Sequence, residues 1–214
     1  MKRAKRLTDN LESIADRIRV NFSDIDAARE KALPLCREVI RHSSNAIRSV
    51  HRQEYKQAAE LLQSARNLLD EVEKAVAGYS ELSGTGFIRD AQKEFAEGRI
   101  TLSMVTGEQL PEPDELGVEF AAYLNGMGEA VGELRRHLLD NMRRGDLSRA
   151  EEILSIMDDI YGVLVTMDFP DAITGGLRRT TDVVRGILER TRSDLTLTIT
   201  QKELEKKLNS VEPR

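Results

Sequence analysis

Tryptophan is absent from this sequence, and cysteine occurs once, histidine three times and proline five times in 214 residues; aromatics amount to 4%. Each shortage removes a class of chemistry. A lone thiol, Cys36, can form neither an intrachain disulfide nor a thiolate metal site, and it suits a reducing, cytoplasmic setting. Lying beside Leu35 and Val39 in a helical pattern, it reads as core. His42, His51 and His137 are scattered over helical stretches and read as packing or surface residues. No Glu-x-x-His pair of the di-iron bundles, no G-x-S-x-G and no Walker loop is present, so nucleophilic catalysis and P-loop chemistry find no support. Few aromatics leave little for base stacking. No run nears the ~18 apolar residues of a membrane span. The opening MKRAKRL has charge but no apolar core behind it, unlike a secretory signal, so no membrane partner is expected.

Charge and aliphatic side chains are plentiful instead. Hydrophobic residues make up 40% and charged residues 32%, with 37 acids against 32 bases and a net charge of −5. That sum argues mildly against nucleic acid, whose phosphates require Lys and Arg. Its distribution argues the other way, because basic side chains gather at Lys2 to Arg6, at Arg135, Arg136, Arg143 and Arg144, and at Arg178, Arg179, Arg185, Arg190 and Arg192. A basic cleft inside an acidic exterior would vanish from the total.

Helical periodicity runs through nearly the whole chain. Leu11, Ile14, Ala15, Ile18 and Phe22 share one face, and Ile25, Ala28, Ala32, Leu35, Val39 and Ile47 continue it past Pro34, where a kink or break is expected. A second helix spans residues 53–77 and stops near Gly78; SGTG at 83–86 separates it from a third that ends at Gly107. EQLPEPDELG, rich in proline and acid, reads as a surface loop. Gly145 marks a turn, and Ser148 with Glu151 suggests a capping box before the helix carrying Ile153, Met157, Ile160 and Leu164. Pro170 suits a first helical position, with Asp171 favourable at the positive end of the dipole. LTLTIT alternates like a strand but has no partner strand, which favours helix or a frayed tail. Gly175-Gly176 is too short for a phosphate loop; it reads as a meeting of two backbones, or as a helix start able to help hold a phosphate. The expectation is an all-α, single-domain bundle of six to seven long helices over 1–214, with a basic arm at 1–8 and a tail at 200–214 as the segments free to move.

Two acidic groups stand out against this background. In EFAAYLNGMGEAVGELRR, Phe120, Leu124, Met127, Val131, Leu134 and Leu138 form the apolar stripe, which turns Glu129 and Glu133 onto another face beside the small residues Ala122, Asn125 and Gly126. Upstream, Asp90, Glu94 and Glu97 follow the edge of the stripe made by Phe87, Ala91, Phe95, Leu102 and Val105. If the two helices are antiparallel neighbours joined through Pro111 and Pro113, four or five carboxylates converge. Such a group repels itself unless a positive charge intervenes, and oxygen-only donors suit magnesium or manganese. The bland alternative is two ordinary charged helix faces.

The stretches QKEFAEG, YLNGMGEAVGELRR and DFPDAITGGLRRTTDVVRGILERTRSDL together resemble the translin family in an archaeal-type member, closer to translin-associated factor X than to translin itself. The resemblance implies an all-α fold, assembly into a hollow closed homo-oligomer, with an octamer as the expected size, and RNA or single-stranded DNA as partner. It further implies a Mg2+- or Mn2+-dependent endoribonuclease with its acidic site on the inner wall. The family's Glu-aromatic-x-Glu pattern falls on Glu94, Phe95 and Glu97, and its acidic-x-x-Gly-Glu-Leu pattern on Glu129, Gly132, Glu133 and Leu134; Glu129 stands where the family usually has Asp. By that resemblance Glu94, Glu97, Glu129 and Glu133 are the catalytic metal ligands, with Arg135, Arg136, Arg178 and Arg179 binding flanking phosphates. The translin branch supplies the alternative, a shell that binds nucleic acid without cutting it.

Overall fold

A computed structural model describes residues 8–211, so most of the basic arm and the tip of the tail lie outside the described residues. Helices follow one another as α1 (Leu11–His51), α2 (Tyr55–Val76), α3 (Ser80–Ser83), α4 (Gly86–Thr106), α5 (Pro113–Leu116), α6 (Phe120–Arg143), α7 (Ala150–Thr166), α8 (Asp171–Thr174) and α9 (Leu177–Val211). Six are long and three are single turns, and no strand occurs among the described residues. LTLTIT is helical within α9, as expected of an alternating segment with nothing to pair with.

Helix α6 is the hub. It packs against α4 on one side, with α1 and α2 beyond, and against α7 and α9 on the other. Met127, Val131, Leu134 and Leu138 of its stripe are buried as the spacing requires, but Phe120 at the first turn is 67% exposed. Cys36 lies in the core, and burial pushes its thiol up to about 11, well away from reactivity.

Four local expectations need correction. Pro34 does not break α1, which continues through it to His51; Pro34 and Glu30, one turn earlier on the same face, are both exposed, so the carbonyl that Pro34 frees is on the solvent side where water can satisfy it. The capping box at Ser148 does not form; Asp146 Oδ1 accepts the Ser148 N–H at 2.9 Å, and α7 starts two residues later. Segment 108–117 is not a bare surface loop, because Leu116 and Pro111 are buried, Arg66 Nη1 donates to the Gly117 carbonyl at 3.1 Å and Tyr123 OH donates to the Pro111 carbonyl at 2.7 Å. Pro170 falls at the cap of α8 rather than inside it.

The largest departure is the direction of α4 relative to α6. The N–H of Glu119, at the start of α6, reaches Gln92 Oε1 in the first half of α4 at 3.3 Å, and Arg149, past the end of α6, donates to the Val105 carbonyl at the end of α4 at 2.5 Å. The helices therefore run parallel, not antiparallel, and residues 107–119 carry the chain back along them.

Close approach of α4 and α6 depends on Gly126. A Cβ there would lie 2.6 Å from the Lys93 carbonyl oxygen, 3.0 Å from Ala96 Cβ and 3.0 Å from the Glu97 nitrogen, so mainly backbone would have to move. Gly126→Ala is expected to cost about 1–3 kcal/mol, whereas Gly132→Ala, whose Cβ would meet only Ile187 Cδ1 at 3.9 Å, is expected to be neutral or stabilising by up to about 1 kcal/mol. Thermal unfolding of the two variants followed by circular dichroism checks the difference; equal melting temperatures would contradict it.

Candidate metal centre

With backbones so close, the acids on either side of Gly126 converge. Glu94 and Glu97 on α4 and Glu129 on α6 each place a carboxylate oxygen within 4.8 Å of the other two. They open into a cleft of about 870 Å³ whose remaining walls include Arg89, Asp90, Lys93, Asn125, Gly175, Gly176, Arg179 and Thr180. Parallel packing thus produces the convergence that an antiparallel pair was expected to give. Asp90 lies on the cleft wall outside the trio.

Glu133, one turn beyond Glu129, is held apart from them. His51 Nε2 hydrogen-bonds to its Oε2 at 2.5 Å, and Arg136 Nη1 lies 3.8 Å from the same oxygen. The ring of His51 is nearly buried, and its Nδ1 has no hydrogen-bond partner among the described residues. His51 is therefore not a mere packing histidine. Only the join between the end of α1 and the middle of α6, 82 residues away, reveals it, and no local spacing encodes that.

Lys93 was equally hidden. Its Nζ lies 2.8 Å from Glu129 Oε1 and 3.8 Å from Glu94 Oε1, an internal answer to the repulsion that the clustered acids create. Burial pulls the Lys93 ammonium down, but the hydrogen bond to Glu129 and the charges of Glu129, Glu94 and Asp90 outweigh it and leave its pKa raised. Glu94 is raised as well, chiefly by burial. For Glu97, burial first and then the charges of Glu94, Glu129 and Glu133 push the carboxyl up to about 8.

The four arginines separate. Arg179 lines the cleft and makes no ion pair among the described residues. Arg136 is more than half exposed beside Glu133. Arg135 is committed to α9, donating to Thr191 Oγ1 at 2.9 Å and Asp194 Oδ2 at 2.7 Å. Arg178 points to solvent near Asp168 at 3.4 Å. The structure does not bring either of these two into the cleft.

Gly175 and Gly176 have φ of +64° and +87°, which favours glycine at both places. What meets Gly175 is not another backbone but the side chains of Arg89 and Asn125. Asn125 locks the turn to α6: its Nδ2 donates to the Thr174 carbonyl at 2.8 Å, and its Oδ1 accepts from Thr180 Oγ1 at 2.7 Å.

The donor set suits a hard divalent cation. It is all oxygen, it gathers three carboxylates where only one ammonium offsets them, and it leaves Glu97 without a hydrogen-bond donor among the described residues.

Comparison with known proteins places the chain in a family. No protein-family model matches the chain. The structure of AfC3PO in complex with duplex RNA superposes with a TM-score of 0.82 at 36% identity, covering 87% of this chain and 97% of that one. The chain belongs to the translin/C3PO family, in its archaeal form. The crystal structure of AfC3PO matches with a TM-score of 0.79 at 34% identity and the same coverage. Apo-NeC3PO, at 19% identity and a TM-score of 0.77 over 91% of this chain and the whole of its own, shares the C3PO fold. The uncharacterised protein MJ0175 of Methanocaldococcus jannaschii is 29% identical over 190 residues, 87% of this chain and 83% of its own length. No helix among the described residues of this C3PO relative is long and apolar enough to cross a membrane.

The raised Glu97 pKa gives the metal-free protein a pH dependence of defined sign. Between the ordinary carboxyl value of 4.5 and about 8, the folded chain keeps a proton that the unfolded chain has released. Stability from this group is complete below 4.5 and is lost as pH rises through 8. In EDTA the melting temperature is expected to fall from pH 5 to pH 8, and Glu97→Gln to flatten that fall and melt higher than wild type at pH 8. Parallel pH profiles of the two proteins would refute the assignment.

Proposed function

We propose that the chain is a metal-dependent endoribonuclease acting inside a hollow homo-oligomer. The observation that carries this reading is the trio Glu94, Glu97 and Glu129 at the base of a cleft that also contains arginines, in a family one of whose members has been seen with duplex RNA. These three carboxylates would hold Mg2+ or Mn2+, which when bound polarises a phosphate oxygen and lowers the pKa of a water.

Residues of the chain supply the rest. Glu133, fixed through one oxygen by His51, keeps Oε1 available to take a proton at the rim of the trio. Arg179 and Arg89 on the cleft wall, with Arg136 further along α6, attract phosphates without reading bases. Arg135, bound to α9, positions that helix rather than substrate. Among the described residues no aromatic side chain lines the cleft, so cleavage has little sequence preference.

The exposed apolar residues support assembly. Leu11, Ile18 and Phe22 on the overhanging start of α1, Val163 and Val165 on α7, and Leu197, Leu204 and Leu208 on α9 are each between 45% and 65% exposed. Apolar area on this scale on several helices suits subunit contacts, and an octamer is the size proposed. Light scattering at micromolar protein is expected to give a multiple of the 24.1 kDa chain mass; a monomer would exclude a closed shell.

A second reading, a shell that binds RNA or single-stranded DNA without cutting it, is favoured by one observation: Lys93 already neutralises Glu129. End-labelled RNA incubated with Mg2+ or with EDTA separates the two. Wild type is expected to cleave only with Mg2+, and Glu129→Gln to lose at least about a hundredfold. Retardation of RNA without any metal-dependent cutting would establish the shell instead.

A further inference from the structure

We infer that Lys93 is a resident counter-ion which a divalent cation must displace from Glu129, so that an internal ammonium and an external ion exclude one another at this carboxylate. The inference rests on the nuclease reading only for the class of ion. Glu129 belongs to the trio whose oxygens lie within 4.8 Å of one another, and Oε1 of that same side chain lies 2.8 Å from Lys93 Nζ. The ammonium also lies 3.8 Å from Glu94, a second member of the trio. Among the described residues no other lysine or arginine comes within ion-pairing distance of these three acids; Arg136 reaches Glu133 instead.

Two cations sharing one carboxylate at such separations repel strongly in a partly buried site. One must leave. Lys93 can, because its ammonium ends a flexible four-carbon stem in an open cleft and its side chain is one quarter exposed, so the head can swing outward while α4 stays in place. Arg89 and Arg179 line the same cleft without touching the trio, so their charges act on a bound ion only from a distance. An ammonium displaced in this way leaves the trio for the cleft wall and joins the two arginines as a phosphate contact, coupling ion binding to the assembly of the anion-attracting wall.

The test titrates Mn2+ into the metal-free protein by calorimetry, with thermal unfolding measured alongside, for wild type, Lys93→Met and Arg179→Met. Lys93→Met is expected to melt several degrees below wild type in EDTA, to bind Mn2+ about tenfold more tightly or better, and to show a larger Mn2+-induced rise in melting temperature. Arg179→Met is expected to change Mn2+ affinity less than about threefold. Equal rises for wild type and Lys93→Met, or equal affinity changes in the two variants, would overturn the displacement while leaving the metal site intact. No Mn2+ binding by any of the three would remove the metal-dependent reading and the displacement with it. Binding by Lys93→Met alone would support displacement in a chain that does not work as a nuclease. Should Lys93→Met not fold in EDTA, Lys93→Gln, which keeps a donor for Glu129 without the charge, takes its place with the same expectations.

Discussion

Two helix backbones meet at Gly126 with no side chain between them, and the acidic site depends on that contact. The carbonyl of Lys93 and the N–H of Glu97 flank the missing Cβ, so the residues on either side, Lys93, Glu94 and Glu97, are brought up against Glu129, the next turn of α6. Separating the helices by the width of a methyl group would open the cluster. Its tightness also generates its electrostatics: Glu97 is driven toward the neutral form because burial removes water and three other carboxylates surround it. Packing and charge are here one constraint, since the small residue that permits approach creates the repulsion that a cation must relieve.

Much of this was visible in the sequence. Apolar spacing located the long helices, and Gly78, Gly107 and Gly145 marked breaks at which the backbone does adopt positive φ. The same periodicity turned Glu129 away from the stripe of Met127 and Val131, and within the small face of Ala122, Asn125 and Gly126 it is Gly126 that meets another backbone, while the other two line the cleft. Motif resemblance picked out Glu94, Glu97, Glu129 and Glu133; the fold brings the first three together and sets Glu133 against His51 instead.

What the sequence concealed is long-range. Helix direction is not encoded in periodicity, so α4 and α6 were paired the wrong way round. Lys93 belongs to none of the basic groups seen along the chain, and its role comes from a partner on α6. His51, at the end of α1, gains its significance only from the placement of Glu133. Local signals failed too: Asp146, two residues upstream, took the Ser148 N–H that a capping box would have given to Glu151, and Leu116 and Pro111 drew an acidic proline-rich stretch down onto the core.

Because α4 and α6 point the same way, the chain must travel backward between them. From the end of α4 to the level of Gln92 is roughly 20 Å at the helical rise, a distance that takes about six fully extended residues to cross, and the path also includes a helical turn and the bend at Gly117, φ +59°. Residues 107–119 are therefore long enough to make the return and still form α5 on the way. A short hairpin could not make that return; this strap, anchored by Arg66 and Tyr123, permits the polarity of α6 that lets Glu129 face Glu94, so a segment that contributes no ligand takes part in assembling the site.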